Sequence, residues 1–119
     1  VEASLGVARA LLEPGGKITA LSVVEAIPSY VAPYLPEDHG DTTREAIHAD
    51  MMADLAGAED VTLEVVSGHP ARAILDTAAD QEIDCIVIAS HRPGVMDYFI
   101  GSTAAHVVRH ARCSVHVLR

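Results

Sequence analysis

The chain has 119 residues, half of them hydrophobic, with one Phe, three Tyr and no Trp. That length suits one domain whose core must be built from aliphatic side chains. A formal net charge of −9 argues against broad binding to nucleic acids or anionic membranes, and no apolar run approaches the roughly 20 residues that a membrane-spanning helix needs.

The opening VEASLGVARALLEP carries acids at both ends and no basic leader, so it does not read as a signal peptide. Residues 2–12 have helical spacing, with Leu5, Ala8, Leu11 and Leu12 on one side, and Pro14-Gly15-Gly16 ends that helix. The run 17–24, KITALSVV, is β-branched and apolar enough for a buried strand. Residues 25–41 hold Pro28, Pro33 and Pro36, which predicts a long surface excursion with Tyr30 and Tyr34 packed against the domain. A helix over 42–56 points Ala46, Ile47, Met51 and Leu55 inward, with Gly57 as its C-cap.

Residues 61–67, VTLEVVS, alternate as a strand, and Pro70 then opens a helix that runs to about 81 through Ile74, Leu75 and Ala78. The run 84–89, DCIVIA, has the pattern of a strand covered on both faces in a parallel sheet. Ser90, His91, Arg92, Pro93 and Gly94 suit a loop that lasts to residue 100. Gly101-Ser102-Thr103 begins a helix with Ala104, Val107, Val108 and Ala111 as its apolar positions, and residues 114–118 alternate as a closing strand. Cys85 and Cys113 read as reduced core thiols, a usage that suits a cytoplasmic protein.

The order is helix and strand in strict alternation, four of each. That predicts an α/β doubly wound fold with a parallel sheet in one domain over residues 1–119, without repeats. Chains of this class begin with a strand at the centre of the sheet, whereas Val1 already looks helical. A first strand ahead of Val1 is therefore expected, since a centre strand leaves ladder partners unpaired when it is removed.

Charge is unevenly spread. Residues 1–90 contain sixteen acids and four bases; residues 91–119 contain Asp97 alone against Arg92, Arg109, Arg112 and Arg119. An anionic small molecule is favoured in that last segment. There, Gly101-Ser102-Thr103 at a helix N-terminus offers backbone N–H groups, two hydroxyls and the positive end of the helix dipole, which suit a phosphate; the plainer alternative is that Ser102 or Thr103 caps the helix. No G-x-x-x-x-G-K-[ST] or G-x-G-x-x-G occurs, which excludes the usual P-loop and dinucleotide-binding signatures. His106 and His110 are one helical turn apart and His116 follows, but no carboxylate or cysteine is placed to join them, so they read as exposed helix histidines. His91, at the strand end, can hydrogen-bond a phosphate, act as a base or hold its own loop. No Ser-His-Asp or Cys-His set is legible.

Ile86-Val-Ile-Ala-Ser-His-Arg-Pro93, Tyr98-Phe-Ile-Gly-Ser102 and residues 107–115, VVRHARCSV, together resemble the universal stress protein (UspA-like) family, with the S-H-R-P loop most similar to its F-type members. Val65-Val-Ser-Gly-His-Pro-Ala-Arg-Ala-Ile74 and Leu21-Ser-Val-Val24 are similar to earlier segments of the same family. The resemblance implies a five-stranded parallel sheet of order 3-2-1-4-5, a homodimer, a role in stress survival, and ATP or AMP, with or without Mg, as ligand.

In the ATP-binding members a G-x2-G-x9-G-[ST] motif approaches the phosphates. Here Ala89 and Arg92 stand at its first two glycines, Gly101-Ser102 match the third glycine and the hydroxyl, and the second gap is one residue shorter. Val23 matches a position that lines the adenine pocket, and the family's N-terminal nucleotide-contacting Asp has no counterpart. The expected nucleotide site is thus Val23, Ile88, Ala89, Ser90, His91, Arg92, Gly101, Ser102 and Thr103, with Arg92 replacing backbone contacts by a charge-assisted one. A homodimer is expected through the edge strand Ser114–Leu118. Catalysis is expected to be absent or limited to slow ATP hydrolysis, with no nucleic-acid or membrane partner. The rival reading is a dimeric scaffold of the same fold with an empty site; a transferase or hydrolase using His91 ranks last.

Overall fold

A computed structural model describes residues 2–25, 30, 32–34, 39–55, 60–90 and 101–118. Its elements are α1 (Glu2–Leu11), β1 (Ile18–Val24), a 3-10 turn at Ala32–Tyr34, α2 (His39–Asp54), β2 (Val61–Ser67), α3 (Pro70–Asp80), β3 (Cys85–Ala89), α4 (Ser102–His110) and β4 (Ser114–Leu118). The expected alternation of helix and strand is present, and the fold is α/β with parallel strands. Among the described residues there are four strands in two parallel pairs, β1-β2 and β3-β4. Those pairs are the neighbours 2-3 and 4-5 of the order 3-2-1-4-5. No helix among the described residues is long and apolar enough to cross a membrane. The chain divides into two compact units, one of residues 12–69 and one of residues 1–11 with 70–119.

In the first unit, β1 and β2 pair in register from Ile18↔Val61 to Val24↔Ser67. The Gly68 N–H adds one more rung by donating to the Val24 carbonyl at 2.9 Å. Parallel neighbours cannot be joined by a tight turn, and α2 is the crossover, packing on both strands. Arg44 on α2 donates from Nε to the Ser67 hydroxyl at 2.9 Å and from Nη2 to the same oxygen, which ties the helix to the end of β2. Pro14 and Gly15 occupy the middle of a turn closed by Gly16 N–H to the Glu13 carbonyl at 2.9 Å. Gly15 has φ +83, the positive value that a type II turn requires at its third residue.

Three expectations fail in this unit. The helix α2 starts at His39, three residues before Thr42, so the surface excursion is shorter; Gly40 and Asp41 read as loop formers, yet an acid in a first helical turn is favoured by the dipole. Tyr30 and Tyr34 are 77% and 86% exposed rather than packed against the surface. On α2, Ile47 and Met51 are half-buried and Leu55, just past its end, is buried, but Ala46 is exposed. The Gly57 cap lies outside the described residues.

In the second unit, β3 and β4 pair from Cys85↔Ser114 to Ala89↔Leu118. The ladder is extended at both ends by Ser114 N–H to the Asp84 carbonyl (3.2 Å) and Ser90 N–H to the Leu118 carbonyl (2.8 Å). The helix α1 packs on β3, α4 on β4, and α3 against α4. The fully buried residues there are small: Ala71 on α3, with Ala104 and Val107 on α4. Residues buried this fully leave little room for added volume at their positions.

The end of α3 shows how the next strand is aimed. Glu82 has φ +52, Ile83 N–H donates to the Ala78 carbonyl at 2.9 Å, and Glu82 N–H donates to that of Ala79 at 3.3 Å. This is a Schellman cap, with Glu82 in the left-handed position that glycine usually takes.

The expectation of strands covered on both faces is also corrected. Cys85 to Ile88 are half-buried and Ala89 is exposed, and β1 is half-buried throughout. Each strand has one hydrogen-bonded neighbour among the described residues, so its second edge adds exposure. Cys85 and Cys113 are free and half-buried rather than core thiols. On α1, Leu5 and Ala8 are half-buried while Leu11 and Leu12 are exposed, and on α4 Val108 is 47% exposed. The inward stripe of α4 is Ala104, Val107 and Ala111, spaced three and four apart, and Val108 falls beside it.

Burial therefore separates two adjacent valines. Val107→Ala is expected to lower the unfolding free energy by about 2–3 kcal/mol, and Val108→Ala by no more than about 0.5 kcal/mol, both read from urea unfolding followed by circular dichroism.

Candidate functional site

The site is built at the carboxyl end of β3. Its last paired residue, Ala89, is exposed, and the next, Ser90, is 3% exposed. Ser90 uses both backbone groups: its N–H donates to Leu118, and its carbonyl accepts the N–H of Gly101. The chain thus leaves the strand at Ser90 and is fastened to the same residue on its return. The segment between, residues 91–100, lies outside the described residues, and with it the candidates His91 and Arg92.

Gly101 is the N-cap of α4, with φ −59 and ψ 156. Those angles suit any residue, so conformational freedom does not explain the glycine. Space does. A Cβ at this position would lie 2.5 Å from the carbonyl oxygen of Ser90, closer than such atoms approach. The sequence suggests a glycine that lets phosphate come near; the structure shows that what comes near is the protein's own backbone.

The first intrahelical bond of α4 runs from Ala105 N–H to the Gly101 carbonyl at 2.9 Å. The N–H groups of Ser102, Thr103 and Ala104 precede it and have no acceptor within the helix. A glycine N-cap also supplies no side-chain oxygen to them. The alternative in which Ser102 or Thr103 caps the helix is thereby corrected: Ser102 is the first residue inside it. Ser102 is exposed and Thr103 half-buried. The positive end of α4 therefore brings three N–H groups with no acceptor inside the helix, and two hydroxyl-bearing residues, next to the end of β3.

Of the nine candidates, Ile88, Ala89, Ser90, Gly101, Ser102 and Thr103 are gathered at this one end of a single unit. Val23 lies in the other unit, half-buried on β1 opposite Val66. Leu118 was not among the candidates although its carbonyl anchors Ser90; no sequence pattern marks a backbone acceptor on a neighbouring strand. Among the described residues no three metal-binding side chains form a group, and His106 and His110 are exposed.

The sequence profile of the universal stress protein family matches residues 3–119. The chain belongs to that family. It is 29% identical over 109 residues to a universal stress protein of Thermus aquaticus encoded in the 3' region of a QAH/OAS sulfhydrylase, covering 88% of this chain and 79% of that one. It is 32% identical over 74 residues to the universal stress protein of Methanothermobacter thermautotrophicus, covering 59% of this chain and spanning about half, 51%, of that relative. Among solved structures it resembles the hypothetical protein MJ0577, the subject of a structure-based assignment of biochemical function, with a TM-score of 0.75 at 22% identity over 98% of this chain and 85% of that one. It also resembles the universal stress protein UspA from Lactobacillus plantarum, with a TM-score of 0.70 at 26% identity over 99% and 88%. The likeness to the solved structures shows the fold.

The close approach at Gly101 has a consequence independent of any ligand. Gly101→Ala is expected to destabilise the protein by about 1–3 kcal/mol, the usual cost of forcing atoms into an occupied space. Ser102→Ala, at an exposed position, is expected to stay within about 0.5 kcal/mol. Urea unfolding without nucleotide checks both.

Proposed function

We propose that this universal stress protein binds an adenine nucleotide, ATP or AMP, with its phosphates at the N-terminus of α4, and acts in the cytoplasmic stress response with catalysis absent or slow. The observation that carries this reading is the glycine-capped start of α4, which leaves three backbone donors and the hydroxyls of Ser102 and Thr103 beside the end of β3. An anion gains there from both the donors and the dipole. The excess of arginine over acid in residues 91–119 supports the same reading. In it Ile88, Ala89 and Ser90 form the strand edge, and His91 and Arg92, next in the chain, supply the charge-assisted contact.

Isothermal titration with ATP and AMP, each with and without Mg, tests it. Heat with at least one nucleotide is expected. Arg92→Ala is expected to weaken binding about 10- to 100-fold, the worth of a charge-assisted hydrogen bond, and Ser102→Ala to weaken it without lowering stability. The second reading, a dimeric scaffold with an empty site, is favoured by the side chain at Ala89 and by the Ser90 carbonyl that already fills the space above Gly101. It predicts no heat with either nucleotide.

We infer a homodimer through β4 under both readings. Among the described residues β4 pairs only with β3, and it carries half-buried Val115, Val117 and Leu118. An apolar strand with an open edge is a template for a second copy. Sedimentation velocity is expected to show a dimer at micromolar concentration, and a monomer would count against this interface.

A further inference from the structure

We infer that His106 and His110 form a surface site for one divalent late transition-metal ion, of the class of Cu2+, Ni2+ or Zn2+. The two residues sit one turn apart on α4 and both are exposed, and their ring centroids are 4.7 Å apart with the planes inclined at 48°. That spacing fits shared coordination: with metal–nitrogen bonds of about 2.1 Å, two imidazoles on one ion hold their ring centres about 4.5–5 Å apart. The rings need no backbone movement to reach it, because residues four apart on a helix are surface neighbours.

The position in the helix helps. His110 is the last residue of α4 and lies at the negative end of its dipole, where a cation is favoured. Arg109 in the same turn opposes a second positive charge, which sets the affinity below that of an enclosed site. No third metal-binding side chain joins a group among the described residues, and the two imidazoles are the donors assigned to this site. Imidazole donors select Cu2+, Ni2+ and Zn2+ over Mg2+ or Ca2+, with Cu2+ the tightest. His106 and His110 stand about 6 and 12 Å of rise beyond Ser102. The site therefore stands whether or not nucleotide binds at the other end.

The test is isothermal titration of the tag-free chain with NiCl2 and ZnCl2. One ion per chain is expected. His106→Ala and His110→Ala are each expected to weaken binding about 100-fold, because each turns a two-point attachment into a single one. His48→Ala, an exposed histidine on α2, is expected to leave affinity unchanged and reports on non-specific imidazole binding. Both α4 substitutions are on exposed surface, and unchanged circular dichroism verifies folding. Native affinity in either α4 variant, or no heat up to about millimolar metal, overturns the assignment.

Discussion

Ser90 is the residue on which the described part of the site depends. Its N–H is bound by the carbonyl of the last strand and its own carbonyl by the first residue of the helix N-cap. One peptide group on each side therefore fixes where the strand stops and where α4 begins. A buried backbone group must find a partner, and here the partners come from β4 and from the far side of the 91–100 segment. The helix N-terminus is consequently held against the sheet edge by the main chain, without help from a side-chain cap.

That arrangement changes the reason for the glycine. In a phosphate-binding loop, a glycine is usually understood as making room for the ligand. At Gly101 the room is taken by the Ser90 carbonyl, so the same residue serves loop closure first. The two uses are compatible, since the N–H groups that lack an acceptor inside α4 belong to the three residues that follow. The chemistry offered to a ligand is then that of a helix end whose position is fixed before anything binds, and preorganised donors lose little freedom on binding.

Much of this was legible beforehand. The strands 61–67 and 114–118 and the start of α3 at Pro70 agree with their periodicity and turn residues, because those segments combine β-branched or helical spacing with firm punctuation. The start of α2 was not, since His39, Gly40 and Asp41 are individually poor helix residues that a first turn tolerates. The exposure of Val108 and Leu11 was missed because apolar residues next to an inward stripe look like part of it. The Ser90–Gly101 bridge was invisible for a different reason: it is a main-chain contact between residues eleven apart, and side-chain identity carries no record of it beyond the glycine itself. The strand-edge and helix-cap candidates could be named because a strand–loop–helix pattern brings them together regardless of detail. Val23 depends on how far apart parts of the chain are arranged, which local pattern does not encode.

The contact between α3 and α4 restricts how this part of the molecule can drift in evolution. With Ala71 and Ala104 at zero to one per cent exposure, a methylene added to either has no open space to enter and must displace what packs on it. Added bulk is better tolerated on the outer face of α4, where His106, Arg109 and His110 are exposed. A change of side chain on that outer face leaves the packing beneath it as it is.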